Sequence, residues 1–257
     1  VLSINKNIRT AILLTAAAVA LFPSRALAAP TVSWGLFHEK PGEVPIGEAS
    51  DEYLSKYDAF FHERSGDNRK TLFLTFDTGY DNGVTAKILD VLKEADVPAA
   101  FFLTGRCIGD YPDLVKRMAG EGHIVGNHSM NHPNMSQKSA ESFASEIQRT
   151  EQAYRSVTGL EMPKYYRPPE GVFSEKNLAQ AQSMGYKTIL WSVCYRDWMV
   201  NDQPSYASAL KTLTSRVHPG AIVMLHSVSR TSAAVLPEFI AICRGKGYEF
   251  KTLDQLG

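Results

Sequence analysis

Cysteine is scarce in this chain: Cys107, Cys194 and Cys243 are the only three, and no C-x-x-C pair occurs. An odd count without paired spacing argues against a disulfide framework and against a thiolate zinc site. These residues read as small buried apolar side chains, of which one pair could bridge. Net charge is missing too. Lysine plus arginine equal aspartate plus glutamate at 27 each, and no long block of like charge occurs. No long-range field would gather nucleic acid or an anionic membrane, so nucleic acid is not an expected partner. There is no G-x-S-x-G elbow, and Ser129 lacks flanking glycines, so a serine triad fits poorly. Internal repeats and low-complexity segments are also absent. What is present is 257 residues, 44% of them apolar, enough to bury a sizeable core as one globular domain.

The first residues are a different material from the rest. Lys6 and Arg9 precede an apolar stretch from Ala11 to Phe22, and Ala26-Leu27-Ala28 follows with small residues. This is the pattern of a secretory signal over residues 1–28, with an uncleaved anchor as the alternative. The stretch is short for a membrane span, which needs about 20 apolar residues. Either reading places the remainder outside the cytoplasm. Residues 30–70 are rich in Pro, Gly, Glu and Ser but carry Trp34, Phe37, Tyr53, Tyr57, Phe60 and Phe61. A free linker needs no such apolar area, so an N-terminal extension packed on residues 71–257 is expected.

From there the periodicity is regular. Leu72–Phe76, Ala99–Leu103, Ile124–Val125, Thr188–Val193 and Ala221–Leu225 are short runs rich in β-branched or aromatic residues, the pattern of strands buried on both faces. Tyr165-Tyr166 and Glu249–Leu253 are further candidates. Helical patterns fall between them at Thr85–Glu94, Tyr111–Ala119, Ser139–Val157, Glu175–Met184, Tyr206–Val217 and Val235–Arg244, several headed by serine or closed by glycine. Alternating strand and helix implies parallel strands with crossover helices, hence an α/β fold, either an open sheet or a barrel.

Most apolar runs break into polar residues at their C-terminal ends. Asp77-Thr78 follows the first, His128 to His132 the third, Arg167-Pro168-Pro169-Glu170 the next, and Arg196-Asp197-Trp198 and His226 the later ones. In parallel α/β folds those ends share one rim, where active sites are built. Taken singly each has a plain alternative: Asp77 could cap a turn, and His226 could be a satisfied core histidine. Two histidines four apart in a loop can still share a metal ion, as nitrogen ligands at ~2.1 Å from zinc. Carboxylate, imidazole and an imidazole-bound cation together permit hydrolysis of a neutral carbonyl. Acid–base assistance alone supplies roughly 10²–10⁴-fold, so stabilisation of the tetrahedral oxyanion must carry much of the rest. Asp77, Asp81, Glu170 and Asp197 carry no local signature that assigns them as paired glycosidase carboxylates.

In order, Thr75-Phe76-Asp77, His128-Ser129-Met130-Asn131-His132, Arg167-Pro168-Pro169-Glu170-Gly171, Asp197-Trp198 and Met224-Leu225-His226 resemble the five motifs of the polysaccharide deacetylases of carbohydrate esterase family four. The resemblance, to the NodB-homology domain, spans about residues 70–255. It implies a distorted, incomplete (β/α) barrel. It also implies roles: Asp77 as general base, His226 as general acid, Arg167 orienting Asp77, Asp197 tuning His226, and Trp198 walling the sugar pocket. Glu170 would offer its backbone N–H to the oxyanion, Met224 would line the site, and His128 with His132 would hold a divalent cation such as zinc.

Many family members place a second aspartate after the base, as a metal ligand; here that place is Thr78, beside the substrate. A neutral hydroxyl is a poorer ligand than a carboxylate, so metal binding is expected to be weakened. This departure, with Trp34-Gly35, Lys56-Tyr57-Asp58-Ala59-Phe60 and Asn82-Gly83, resembles the delta-lactam-biosynthetic de-N-acetylases of spore cortex. The resemblance implies an exported, monomeric enzyme of a Gram-positive spore former. It would remove acetyl from N-acetylmuramic acid in peptidoglycan glycan strands, leading to muramic delta-lactam, with no protein partner. The alternatives are an N-acetylglucosamine deacetylase acting on peptidoglycan or chitin oligomers, and a glycan-binding module without catalysis.

Overall fold

The structure, a computed structural model, describes residues 30–37, 40–65 and 69–256. The signal or anchor expected over residues 1–28 lies outside the described residues. Short pieces come first: strands β1 (Thr31–Ser33), β2 (Leu36–Phe37) and β3 (Ile46–Gly47), helix α1 (Asp51–Ser55) and strand β4 (Ala59–Phe60). The alternating part follows, with β5 (Thr71–Thr78), α2 (Thr85–Glu94), β6 (Ala99–Leu103), α3 (Gly105–Asp110), α4 (Pro112–Gly120) and β7 (Ile124–Asn127). It continues through α5 (Ala140–Thr158), β8 (Tyr165–Tyr166), β9 (Val172–Ser174), α6 (Glu175–Ser183) and β10 (Lys187–Ile189). It ends with α7 (Tyr206–Arg216), β11 (Ala221–His226), α8 (Arg230–Gly245) and β12 (Glu249–Phe250).

The main sheet runs β11-β5-β6-β7-β8-β10-β4, with every neighbouring pair parallel, and β12 pairs the start of β5. Strand alternation explains why its strands read as unbroken apolar runs. On β5, Leu72, Leu74 and Phe76 join the large cluster beneath the helices, with Ile88, Leu89, Val235 and Phe239. Phe73 belongs to a second cluster with Ala100, Phe102, Ile124, Ile189 and Ile222, which fills the concave side of the curl. Each such leucine or phenylalanine contributes roughly 1.5–3 kcal/mol by leaving water. Asp77 shares the phase of Phe73 and Thr75, so the same alternation that fills the interior places a carboxylate above it.

Helix starts follow from serine chemistry. Ser139, Ser174 and Ser205 each accept a hydrogen bond from the backbone N–H three residues on, satisfying a donor that the helix cannot. Helix α8 begins five residues before its apolar pattern does, because Ser229 accepts from the Ser232 N–H at 3.0 Å. Helix α3 was not expected; Thr104 caps it by accepting from the Cys107 N–H. The strand expected over Thr188–Val193 stops at Ile189, because the chain changes partners there. Leu190 N–H donates to Phe60 O, whereas Ser192 and Val193 N–H both donate to Ile222 O. Glu249–Leu253 likewise shortens to β12, and Leu253 starts a single 3-10 turn. No disulfide joins Cys107, Cys194 and Cys243; the first and last are buried and Cys194 is half-buried.

That change of partners closes the curl. Val193 bridges to Val223 on β11, and β4 lies beside β10 while His62, just beyond it, bridges to Ala221. The segment before residue 70 therefore supplies a strand of the barrel as well as a packed layer. In that layer Trp34, Leu54, Ala59 and Phe61 pack on Phe173, Leu178 and Leu190, and the Trp34 indole donates to Trp191 O at 3.0 Å.

Candidate active site

Register places the site. In the parallel pairing of β11 with β5, His226 is the partner of Asp77, and Met224 the partner of Thr75. Asn127, at the end of β7, pairs with Tyr166 and leads into His128, while Arg167 follows Tyr166 directly. Four strand ends thus bring Asp77, His128, Arg167 and His226 to one rim.

Arg167 is the anchor of one half. It is fully buried, with its guanidinium over the Phe102 ring at 4.2 Å. Nε donates to Ile189 O at 2.9 Å, Nη2 to Leu190 O at 3.2 Å, and Nη1 to Asp77 Oδ1 at 2.6 Å. The other oxygen, Oδ2, lies 3.8 Å from His128 Nε2, beyond hydrogen-bond reach. Burial alone would raise the pKa of Asp77, but the charge of Arg167, with smaller contributions from His128 and His226 and the Arg167 hydrogen bond, more than offsets it and holds the carboxyl below the usual range. Burial pushes His128 down to about 4, so its ring is neutral near pH 7. Its Nδ1 lies 2.8 Å from Arg167 O, and a carbonyl only accepts, so the proton sits on Nδ1 and the Nε2 lone pair is open. The His132 ring stands edge-on to it at 4.8 Å between centroids.

The other half is built on Asp197, which is fully buried. Its Oδ1 accepts from His226 Nδ1 at 2.6 Å, and its Oδ2 accepts from the His226 backbone N–H at 2.8 Å and from Ser232 Oγ at 2.6 Å. Burial would lower His226, but the hydrogen bond and charge of Asp197 reverse this and raise it above the ordinary imidazole value. With Nδ1 committed to Asp197, its Nε2 is the nitrogen left for the cleft. Trp198 stands 5.7 Å from the His226 ring and is 48% exposed, a free aromatic face at the rim.

Among the described residues, three of the five non-glycine residues with positive φ lie here: Ser129 at 66°, His132 at 56° and Glu170 at 58°. Strain of this kind persists where surroundings over-determine the backbone, and it marks functional loops. Next to Glu170, a Cβ on Gly171 would meet Trp191 at 2.7 Å, and its φ of 67° lies in the region that glycine enters most easily. Met224 is buried on β11 beneath His226. Thr78 is buried, and its hydroxyl accepts from Ser227 Oγ at 2.8 Å. Among the described residues, no group of three or more His, Cys, Asp or Glu side chains is placed to hold a metal ion. Sequence reasoning missed Ser232 and Tyr195, which stand behind Asp197; the Ser229-x-x-Ser232 spacing was the available signal.

The polysaccharide deacetylase family profile matches residues 64–189. The peptidoglycan-N-acetylmuramic acid deacetylase PdaA of Bacillus subtilis is 41% identical over 226 residues, which is 88% of this chain and 85% of that protein. The chain belongs to the polysaccharide deacetylase family. Two solved structures agree. One is of Bacillus subtilis PdaA, a family 4 carbohydrate esterase, with a TM-score of 0.83, 40% identity and coverage of 88% of this chain and 96% of that one. The other is a family 4 carbohydrate esterase from Bacillus anthracis, with a TM-score of 0.73, 38% identity and coverage of 90% and 98%. The curled parallel sheet is therefore the deacetylase fold, and this deacetylase is a hydrolase of N-acetyl amide bonds.

Proposed function

We propose that this deacetylase removes the acetyl group from N-acetylmuramic acid in peptidoglycan glycan strands, on the route to muramic delta-lactam in spore cortex. The observation that carries the chemistry is the meeting of Asp77 and His226 as register partners, one with an oxygen and the other with a nitrogen left for the cleft. The choice of sugar rests on likeness to PdaA along most of both chains.

In this reading Asp77 Oδ2 takes a proton from water, which attacks the acetamide carbonyl. Arg167 keeps the base ionised and fixed, and His226 Nε2 then protonates the departing amine. Asp197 holds that imidazole in the tautomer and orientation the donation needs, as a buried carboxylate does for a catalytic histidine. The Glu170 backbone N–H serves the oxyanion, and Trp198 and Met224 shape the sugar site, with Thr78 at its edge. For a divalent cation, the open Nε2 of neutral His128 and the facing His132 ring are fitting nitrogen donors, two in number. Bound there, the cation would polarise the acetamide carbonyl. Thr78 brings no charge and its hydroxyl is engaged by Ser227, which supports weak rather than tight retention. Signal-like residues 1–28 support an exported, cell-wall-side enzyme, and we place it there as a monomer acting on glycan strands without a protein partner.

The test is acetate release from defined glycan, with product sugars identified by mass spectrometry and a chelator control. Release from N-acetylmuramic acid, greater on amidase-stripped than on intact peptidoglycan, is the expected result. Release from N-acetylglucosamine alone would replace the substrate, and binding without release under any added divalent ion would make the protein a glycan-binding module.

A further inference from the structure

We infer that Ser232 and Tyr195 are positioning residues for the Asp197–His226 pair, locking the carboxylate that orients the imidazole. The inference rests on the reading of His226 as the proton donor. Ionised Asp197 carries no proton, so in the 2.6 Å contact Ser232 Oγ must donate to Oδ2. Ser232 Oγ is then free to accept, and Tyr195 OH lies 2.6 Å away. The direction of the chain follows: Tyr195 to Ser232, Ser232 to Asp197, Asp197 accepting from His226. All three supports are buried, Ser232 and Asp197 completely. In such surroundings each hydrogen bond strengthens the next, and a half-satisfied member is costly.

The start of α8 sets where these groups stand. Ser229 Oγ accepts from the Ser232 N–H and donates to Gln203 Oε1 at 2.9 Å, while Gln203 Nε2 donates to the Asp197 backbone carbonyl at 3.1 Å. The helix cap therefore holds both the backbone and the side chain of Asp197. The charged and titratable groups acting on His226 are Asp197 from the loop after β10, Asp77 from β5 and Arg167 after β8. Behind the Asp197 carboxylate stand the uncharged hydroxyls of Ser232 and Tyr195. Removing Ser232 Oγ leaves Oδ2 with the His226 N–H alone. A less satisfied carboxylate draws the imidazolium proton harder, so His226 becomes a weaker acid.

The experiment measures kcat and KM for acetate release across pH in the wild type, Ser232→Ala, Tyr195→Phe and the double variant. The double variant removes both hydroxyls and so leaves no buried hydroxyl orphaned, which guards against a simple loss of folding. Ser232→Ala and the double variant are expected to lower kcat about tenfold, the low end of what outer partners of a site carry. KM should hold, and the alkaline limb of kcat should move to higher pH; Tyr195→Phe should move it the same way by less. An NMR titration of the His226 ring in the same proteins reads the linkage without turnover. A higher ring pKa in Ser232→Ala supports it, and a folded double variant with an unmoved ring pKa and unmoved pH profile overturns it. Absent acetate release by the wild type would count against the proton-donor reading alone, since the NMR titration still decides the positioning.

Discussion

The two carboxylates of the cleft are both buried and both paired, yet they are finished differently. Asp197 is held at both ends: each oxygen accepts short hydrogen bonds, from His226 and Ser232. Asp77 is left incomplete, with Oδ1 held by Arg167 and Oδ2 outside hydrogen-bond reach of His128. A carboxylate with both oxygens hydrogen-bonded is suited to hold something else in place, whereas one with an oxygen to spare can receive a proton. The difference supports the proposed division of roles, Asp77 as base and Asp197 as its partner's support.

The sharpest way to break this contrast is to neutralise the incomplete member. Asp77→Asn should lower kcat by roughly 10³-fold, within the range of general acid–base assistance, with an unchanged circular dichroism spectrum. Retained turnover would remove Asp77 as the base. Arg167→Met strips Asp77 of its counter-charge inside the protein. It should cost about 3–5 kcal/mol in urea unfolding, the usual result of leaving one buried charge unpaired. Asp197→Asn should lower kcat by about 10²-fold. It should also move the alkaline limb down: His226 is raised in the folded protein chiefly because Asp197 outweighs its burial, so without that charge the protonated donor is lost at lower pH. A pH–rate profile whose alkaline limb stayed put would show that Asp197 does not tune His226. The mildest change is Trp198→Ala, expected to raise KM several-fold with kcat nearly constant, as losing one exposed apolar face at the rim costs about 1 kcal/mol of binding.

Much of this arrangement was legible in the sequence, for identifiable reasons. Runs such as Leu72–Phe76 and Ala99–Leu103 announce themselves because both faces of a parallel strand are buried, and Ser139, Ser174 and Ser205 because a capping hydroxyl acts within three residues. The ordered polar residues at strand ends pointed to one rim, and Asp77, His128, Arg167 and His226 do stand there. What stayed hidden was non-local. Strand β4 is two residues long and has no period to detect, and the barrel closes through a change of partner at Leu190 that no local pattern encodes. Tyr195 and Ser232 are 37 residues apart, so their contact exists only once α8 packs.

The closing strand also bears on how small this enzyme can be made. The family profile begins at residue 64, after β4, whose Phe60 carbonyl receives the Leu190 N–H at 2.7 Å. The carbonyls of Ile189 and Leu190 are the ones that grip the Arg167 guanidinium. A chain cut to begin at residue 64 would lose β4 and open a seam directly behind Arg167, so the folded unit that holds this side chain reaches N-terminal to the profile.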